Sequence, residues 1–149
     1  MSGAGPYDDL IMDHIKNARN YFVLDNVNSK ATGSNPLCGD DLTVYLKIDR
    51  DRIKEIAFQC TCCGIAMASA SIMTEMIKGK DTTEARILVR TFVAMLLDRT
   101  ASPLQDTARE QLAILETVQK FPSRNRCAAL PWATLNDALD NLQKTIFVR

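Results

Sequence analysis

Residues 42–60 have the sequence LTVYLKIDRDRIKEIAFQC. The first part, Leu42–Ile48, alternates apolar and polar residues and is rich in residues that favour strands. A polar turn, Asp49–Arg52, follows, and Ile53–Cys60 returns with the same period of two. The segment therefore predicts a β-hairpin.

The segments on both sides of this hairpin contain apolar residues at helical spacing. Two shorter segments differ. Val27–Leu37 is rich in Asn, Ser, Gly and Pro and predicts a loop or an irregular edge segment, and Phe121–Arg124 predicts a loop that leads to Cys127. Strands that precede a run of helices predict an α+β fold, with the helices packed on one face of the sheet. The predicted helices span residues 6–16, 64–78, 85–97 with a helix entry at 81–84, 105–118 and 131–144.

Composition narrows the class of protein. The chain has 149 residues, 46% of them hydrophobic and 24% charged, with a formal net charge of zero. These values predict one globular domain over residues 1–149, in which residues 1–6 form a flexible N-terminus. A neutral chain lacks the electrostatic footprint of a nucleic-acid-binding protein. No apolar run approaches the ~18–20 residues that span a bilayer. We therefore expect neither nucleic acid nor a membrane as a partner.

The N-terminus has no signal-peptide pattern, and the five cysteines are an odd number. We therefore expect a cytoplasmic protein with reduced thiols rather than a disulfide framework. The sequence also has no glycine-rich phosphate loop and no Gly-x-Ser-x-Gly motif, which argues against a hydrolase or a dehydrogenase.

Three cysteines lie far apart in the chain. Cys38 is part of NPLCGD, Cys63 stands at the predicted start of a helix, and Cys127 falls in the predicted loop. Each position is expected to expose its thiol, and a helix N-terminus favours the thiolate form. Asp40 adds a carboxylate, so three thiolates and one carboxylate could bind zinc or an iron–sulfur cluster in four-coordinate geometry. The alternative is that each cysteine is a small buried apolar residue, since spacing alone does not show that the three converge.

These motifs resemble the SufU-like branch of the IscU/NifU-N scaffold family, from about Tyr7 to the C-terminal helix. Arg126 precedes the last cysteine, where IscU-like proteins have a histidine ligand, and the interval between Cys63 and Cys127 can hold the extra helical segment of the SufU-like branch. The residues that carry the resemblance are 13–17 (DHIKN), 35–40 (NPLCGD), 68–71 (ASAS), 73–75 (MTE), 78–80 (KGK), 121–124 (FPSR) and 127–128 (CA).

The resemblance implies an α+β fold with a three-stranded antiparallel sheet. It implies a site formed by Cys38, Asp40, Cys63 and Cys127 that holds zinc or a [2Fe–2S] cluster. It also implies a cysteine desulfurase that delivers persulfide sulfur, with Cys38 as the acceptor, and downstream iron–sulfur carriers or apo-proteins. Such a protein is a scaffold or sulfur carrier rather than a conventional enzyme.

The chain departs from the family where the hairpin ends. The family usually has Gly-Glu-Gly-Cys there, and this chain has Cys60-Thr-Cys-Cys63. Period two would place Cys60 and Cys62 on one face of the strand, while Cys60 and Cys63 form a Cys-x-x-Cys pair. The extra thiols could be metal or cluster ligands, a relay for persulfide, a redox switch that locks Cys63 in a disulfide, or tolerated small residues.

Four other residues are candidates for smaller roles. His14 is the only histidine and is expected to be a packed residue rather than a ligand. Arg124 and Arg126 could dock an acidic partner, hold the Cys127 segment or be ordinary solvated charges. Trp132 is expected to anchor the last helix.

Three functional hypotheses follow from these residues. The first is an iron–sulfur cluster assembly protein that accepts sulfur and holds a nascent cluster, with Asp40 as the ligand that tunes release. The second is a zinc-dependent sulfur acceptor without a stable cluster. The third is a redox-responsive zinc module that uses Cys60 and Cys63, in which Cys38 and Cys127 are dispensable.

Overall fold

A computed structural model describes residues 8–36, 39–98 and 107–148 of the chain. The predicted N-terminal segment 1–6, the predicted helix starts at Pro6 and Gln105, and Cys38 lie outside these residues. Within the described ranges the chain forms three strands and five α-helices: α1 (Asp9–Lys16), β1 (Ser29–Asn35), β2 (Asp40–Asp49), β3 (Arg52–Thr61), α2 (Gly64–Ile77), α3 (Thr82–Leu97), α4 (Arg109–Lys120) and α5 (Asn125–Val148). A short 3-10 helix, Pro122–Arg124, precedes α5.

The predicted hairpin is the β2–β3 pair, and it forms two of the three strands of an antiparallel sheet with the order β1-β2-β3. Its turn places Arg50 and Asp51 at positive φ, as a two-residue hairpin turn of type I′ requires. Along β2, residues alternate between buried and more exposed positions, so one face of the sheet is covered by the core. The α+β prediction, with helices on one face, is confirmed.

The prediction of a loop or irregular edge segment before the hairpin is wrong for β1, which is a regular strand paired with β2 from Ser29↔Leu46 to Asn35↔Asp40. Its Ser, Gly and Asn content gives low strand propensity, so pairing and packing rather than composition hold it in place. At Gly33, an added Cβ would lie 2.1 Å from Thr134 Oγ1, which shows how closely α5 crosses this strand.

The core joins the sheet to α2 and α5, and α3 packs on the outer side of α5. Trp132 is fully buried and makes an edge-to-face contact with Phe92, with ring centroids 4.8 Å apart. Its Nε1 donates to Ser69 Oγ at 2.9 Å, and the Ser69 hydroxyl donates to the carbonyl of Ala128 at 2.6 Å. Trp132 therefore anchors α5 against α2, as predicted.

The last helix is longer than its sequence indicates. Phe121–Arg124 was expected to be a loop and the helix to begin at Pro131, but α5 begins at Asn125 and contains Pro131. Proline is a typical residue of a first helical turn, which is why it marks a start in the sequence. Here the preceding 3-10 turn and the burial of Cys127, Ala128 and Ala129 extend the helix further towards the N-terminus.

None of the helices in the described ranges combines the length and the apolar character that crossing a bilayer requires.

Candidate metal centre

Asp40, Cys63 and Cys127 converge at one end of the sheet. One ligand atom from each, a carboxylate oxygen and two sulfurs, lies within 4.8 Å of the others. Asp40 begins β2, Cys63 precedes α2, and Cys127 lies in the first turn of α5. The three residues come together because β2 runs next to β3, and α2 and α5 pack on the same face of this sheet.

The carboxylate of Asp40 is buried, with only 2% of the residue exposed. Its Oδ1 accepts a hydrogen bond from the backbone N–H of Cys63 at 3.0 Å. Its Oδ2 is also buried and has no hydrogen-bond partner among the residues that the structure describes. A buried polar oxygen left in this way costs stability unless another group, such as a cation, compensates it.

Cys63 is the N-cap of α2 and has extended backbone angles. Within the described part of the chain, its side chain makes no capping hydrogen bond, and its own backbone N–H donates to Asp40 Oδ1. The next residue, Gly64, lies close to α1: an added Cβ would be 3.1 Å from Ile15 Cδ1. This crowding fixes the path of the chain as it leaves β3, and Cys63 is left half-buried beside Asp40.

Cys127 differs from the sequence-based prediction. We expected an exposed thiol in a loop, but Cys127 is helical and fully buried. The early start of α5 turns its side chain into the protein, against α2 and the end of the sheet. Asn35, at the end of β1, points its Nδ2 at the sulfur from 3.8 Å. Asn35 is not among the residues predicted for the site, although it begins the NPLCGD motif that contains Cys38 and Asp40.

Arg124 faces both sulfurs. The charge of the Cys63 thiolate is the main influence that raises the pKa of Arg124, and hydrogen bonds to Cys127 and Cys63 act in the same direction. A guanidinium in this position offsets the negative charge that thiolates and a carboxylate accumulate. Arg126, in contrast, is exposed and lines a surface hollow together with Asn35 and Pro36.

Cys60 and Cys62 are joined in a disulfide, with Cα atoms 5.5 Å apart. The expectation of reduced thiols is therefore wrong for this pair, and of the alternatives considered for the extra thiols, a disulfide forms but joins Cys60 to Cys62 rather than to Cys63. The reason is local geometry. Residues two apart on a strand share a face, whereas Cys63 already belongs to the turn into α2. Cys63 stays outside the disulfide.

Cys38 lies outside the described residues, so the structure brings together three of the four predicted ligands. The sequence places Cys38 two residues before Asp40, in the connection between β1 and β2. Gly39, between them, has φ +72°, a conformation that favours glycine over other residues.

The described donors fit a metal ion. Two cysteine sulfurs and a carboxylate oxygen are accepted ligands of zinc, and cysteine sulfurs also hold iron–sulfur clusters. The buried Oδ2 of Asp40, which has no hydrogen-bond partner within the described ranges, is the observation from this structure that calls for a cation. These residues can therefore hold a metal ion, with Cys63 and Cys127 as the sulfur donors.

His14 lies away from this centre and is 2% exposed, as expected for a packed histidine. Its Nδ1 is 2.7 Å from Ser71 Oγ, which also accepts the backbone N–H of Arg19 at 2.8 Å. The Ser71 hydroxyl therefore bridges the His14 ring and the backbone of Arg19. Burial is the main cause that lowers the pKa of His14, and the charge of Arg19 adds to it. This network ties the segment after α1 to α2.

Known proteins support a common origin for this fold and site. The chain matches the family described as NifU-like N terminal domain over residues 6–128. It is 39% identical over 129 residues to a Bacillus subtilis (strain 168) protein called zinc-dependent sulfurtransferase SufU, covering 87% of this chain and 86% of that one. It is 35% identical over 133 residues to the iron-sulfur cluster assembly scaffold protein IscU of Streptococcus pyogenes serotype M1, covering 89% and 82%.

A solved structure agrees with these relatives. The crystal structure of FiSufU from Fervidobacterium islandicum AW-1, described as a proposed iron–sulfur cluster assembly scaffold protein for the SUF system, superposes with a TM-score of 0.81. The two sequences are 30% identical, and the match covers 90% of this chain and 96% of the other. The chain belongs to the NifU-like N-terminal domain family, and its relatives include both SufU and IscU proteins.

Proposed function

We propose that this protein accepts sulfur for iron–sulfur cluster assembly and holds zinc or a nascent [2Fe–2S] cluster through Cys38, Asp40, Cys63 and Cys127. The observation that carries the proposal is the buried Asp40 carboxylate, which lies beside two cysteine sulfurs and whose Oδ2 has no hydrogen-bond partner among the described residues. The names of the relatives support both versions of the bound group, since one is called a zinc-dependent sulfurtransferase and another a cluster assembly scaffold.

Cys38 is the proposed sulfur acceptor, and a cysteine desulfurase that carries a persulfide is the proposed donor. The Cys38 thiolate attacks the outer sulfur of that persulfide, a new S–S bond forms on Cys38, and the desulfurase cysteine leaves as a thiolate. The sulfur atom thus moves from the desulfurase to Cys38, and the step involves no net oxidation or reduction. Downstream iron–sulfur carriers or apo-proteins would then receive the product.

The remaining site residues prepare the donors for this role. When bound, the metal would keep its cysteine ligands deprotonated. Asp40 holds the backbone of Cys63 through Oδ1, which fixes the start of α2 next to the site. Arg124 offsets the negative charge of the two thiolates from outside the donor set. Asn35 supports the sulfur of Cys127 from the end of β1.

Arg126 is the arginine that we propose for partner docking, because it is exposed near the end of β1 while Arg124 is engaged with the sulfurs. We also propose that the whole chain acts as a single domain. One continuous apolar core, to which α2, α3, α5 and the sheet all contribute, supports this.

The proposal is tested by measuring the metal content and the acid-labile sulfide content of three anaerobically purified proteins. These are wild type and the variants Cys38→Ala and Cys62→Ser. About one zinc per chain without sulfide supports the zinc-dependent acceptor, whereas iron and sulfide in equal amounts support the cluster scaffold. In both cases Cys38→Ala should lower the metal content and Cys62→Ser should not. Equal metal content in wild type and Cys38→Ala would remove Cys38 from the ligand set. Wild-type protein that takes up neither zinc nor iron would contradict the proposal.

A further inference from the structure

The Cys60–Cys62 disulfide adjoins the candidate metal centre. Cys60 is the penultimate residue of β3, and Cys62 directly precedes Cys63 in the chain. Both disulfide cysteines are half-buried, so they pack on the core and remain in contact with solvent.

The register of the sheet places the disulfide next to Asp40. Cys60 is paired with Leu42, and Thr61 with Asp41, in the last two pairs of β2 and β3. Continuing by one residue brings Cys62 level with Asp40. Since alternate residues share a face, Cys60 and Cys62 lie on the side of the sheet that Leu42 and Asp40 occupy. Cys60, on β3, and Cys62, directly after the strand, therefore border the centre, and Cys62 is one residue before the donor Cys63.

A sulfur acceptor in cluster assembly faces a redox problem. Persulfide carries sulfur at the oxidation level of the element, whereas an iron–sulfur cluster contains sulfide. The conversion needs two electrons for each sulfur. A pair of thiols supplies two electrons when it becomes a disulfide.

We propose that Cys60 and Cys62 are an internal reductant that converts the accepted persulfide sulfur to sulfide; this inference rests on the proposed function. The Cys62 thiolate attacks the outer sulfur of the persulfide, so that sulfur moves to Cys62 and the acceptor cysteine leaves as a thiolate. The Cys60 thiolate then attacks the Sγ of Cys62, the Cys60–Cys62 disulfide forms, and the outer sulfur leaves as HS⁻. The dithiol is oxidised by two electrons and the sulfur is reduced by two.

The structure contains the oxidised product of this sequence, the Cys60–Cys62 disulfide. A further cycle requires a dithiol reductant from outside, and the partial exposure of both cysteines leaves the bond open to such a reagent. The pair thus differs in role from Cys63 and Cys127, which face Asp40 as ligands and lie outside the disulfide.

The test uses full-length protein, reduced and then freed of reductant without oxygen. The protein is loaded with glutathione persulfide, the excess is removed, and sulfide release, thiol content and intact mass are followed. Wild type should release about one sulfide per chain and lose two thiols. Cys60→Ser and Cys62→Ser should gain the mass of a sulfur atom and retain it, with sulfide release reduced to background. Thr61→Ala, an exposed substitution between the two cysteines, is the matched control and should behave as wild type.

Sulfide release from either serine variant at the wild-type rate, after equal loading, would overturn the internal reductant and leave the proposed acceptor role intact. If the serine variants gain no sulfur and wild type releases no sulfide, the acceptor role is overturned, and the internal reductant with it. The mass measurement separates these two outcomes.

Discussion

Asp40 Oδ1 accepts the backbone N–H of Cys63 at 3.0 Å, and this bond links the start of β2 to the start of α2. One carboxylate thereby compensates a donor at the helix N-terminus through Oδ1, and it also lies beside two cysteine sulfurs. Backbone support and the proposed metal ligation are thus combined in a single side chain, and the two roles can be separated by mutation.

Asp40→Ala and Asp40→Asn separate these roles. We expect both variants to release bound zinc or cluster more slowly than wild type. The oxygen is the hard ligand in a set of soft sulfurs, and it is therefore the first to yield to a competing ligand. Only Asp40→Ala leaves the Cys63 N–H without its acceptor, which should cost about 1–3 kcal/mol of unfolding free energy.

Transfer of metal to a coloured chelator gives the release rate, and urea unfolding gives the stability. Release rates that match wild type in both variants would rule out Asp40 as the tuning ligand. A loss of stability in Asp40→Asn as large as that in Asp40→Ala would count against the helix-capping role.

Metal binding should stabilise the fold, because the donors come from three separate elements. Zinc at about one hundred times its Kd should raise the unfolding free energy by about 2.7 kcal/mol. Cys63→Ser and Cys127→Ser should lose most of this gain, whereas Cys62→Ser, at the neighbouring position, should keep it. Thermal unfolding with and without zinc measures the difference, and an undiminished gain in Cys63→Ser would exclude that sulfur as a ligand.

Gly33→Ala should destabilise the protein by about 1–3 kcal/mol, because the new Cβ would overlap the buried Thr134 hydroxyl. Thr134→Ala removes that hydroxyl. The double variant Gly33→Ala/Thr134→Ala should therefore be more stable than the sum of the two single effects predicts. Urea unfolding of the four proteins gives the coupling. Strictly additive changes in unfolding free energy would show that Thr134 of α5 does not limit the space at residue 33 of β1.

Stability should depend on the protonation of His14. Its pKa is lowered in the folded protein, mainly by burial, from an ordinary value of 6.5. The unfolded chain therefore binds the proton more readily. The unfolding free energy should fall as the pH drops below about 6.5, down to the lower folded-state pKa, and this contribution should be constant above 6.5.

Denaturant unfolding of zinc-free wild type and His14→Gln between about pH 5 and pH 8 checks this prediction. Metal must be absent because its affinity also varies with pH. The variant should have a flatter profile below pH 6.5. Profiles of equal slope would mean that His14 is protonated equally well in the folded and unfolded chain.

Much of the fold follows from local sequence. The β2–β3 hairpin appears as alternation over Leu42–Ile48, and α2 appears as a helical run that stops before Gly79, which has φ +87°. These features depend on residues close together in the chain. In contrast, β1 was missed because Ser, Gly and Asn do not favour strands, and its stability comes from pairing with β2 and contact with α5.

The sequence by itself determined the hairpin, the helix after it and the presence of cysteines beside an aspartate, because each is a local pattern. Only the tertiary structure decided that Asp40, Cys63 and Cys127 meet, and that Cys127 is buried rather than exposed. It also decided that Cys60 pairs with Cys62. Asp40, Cys63 and Cys127 meet because α2 and α5 pack on the sheet. Such contacts between distant segments leave no periodic pattern in a single chain.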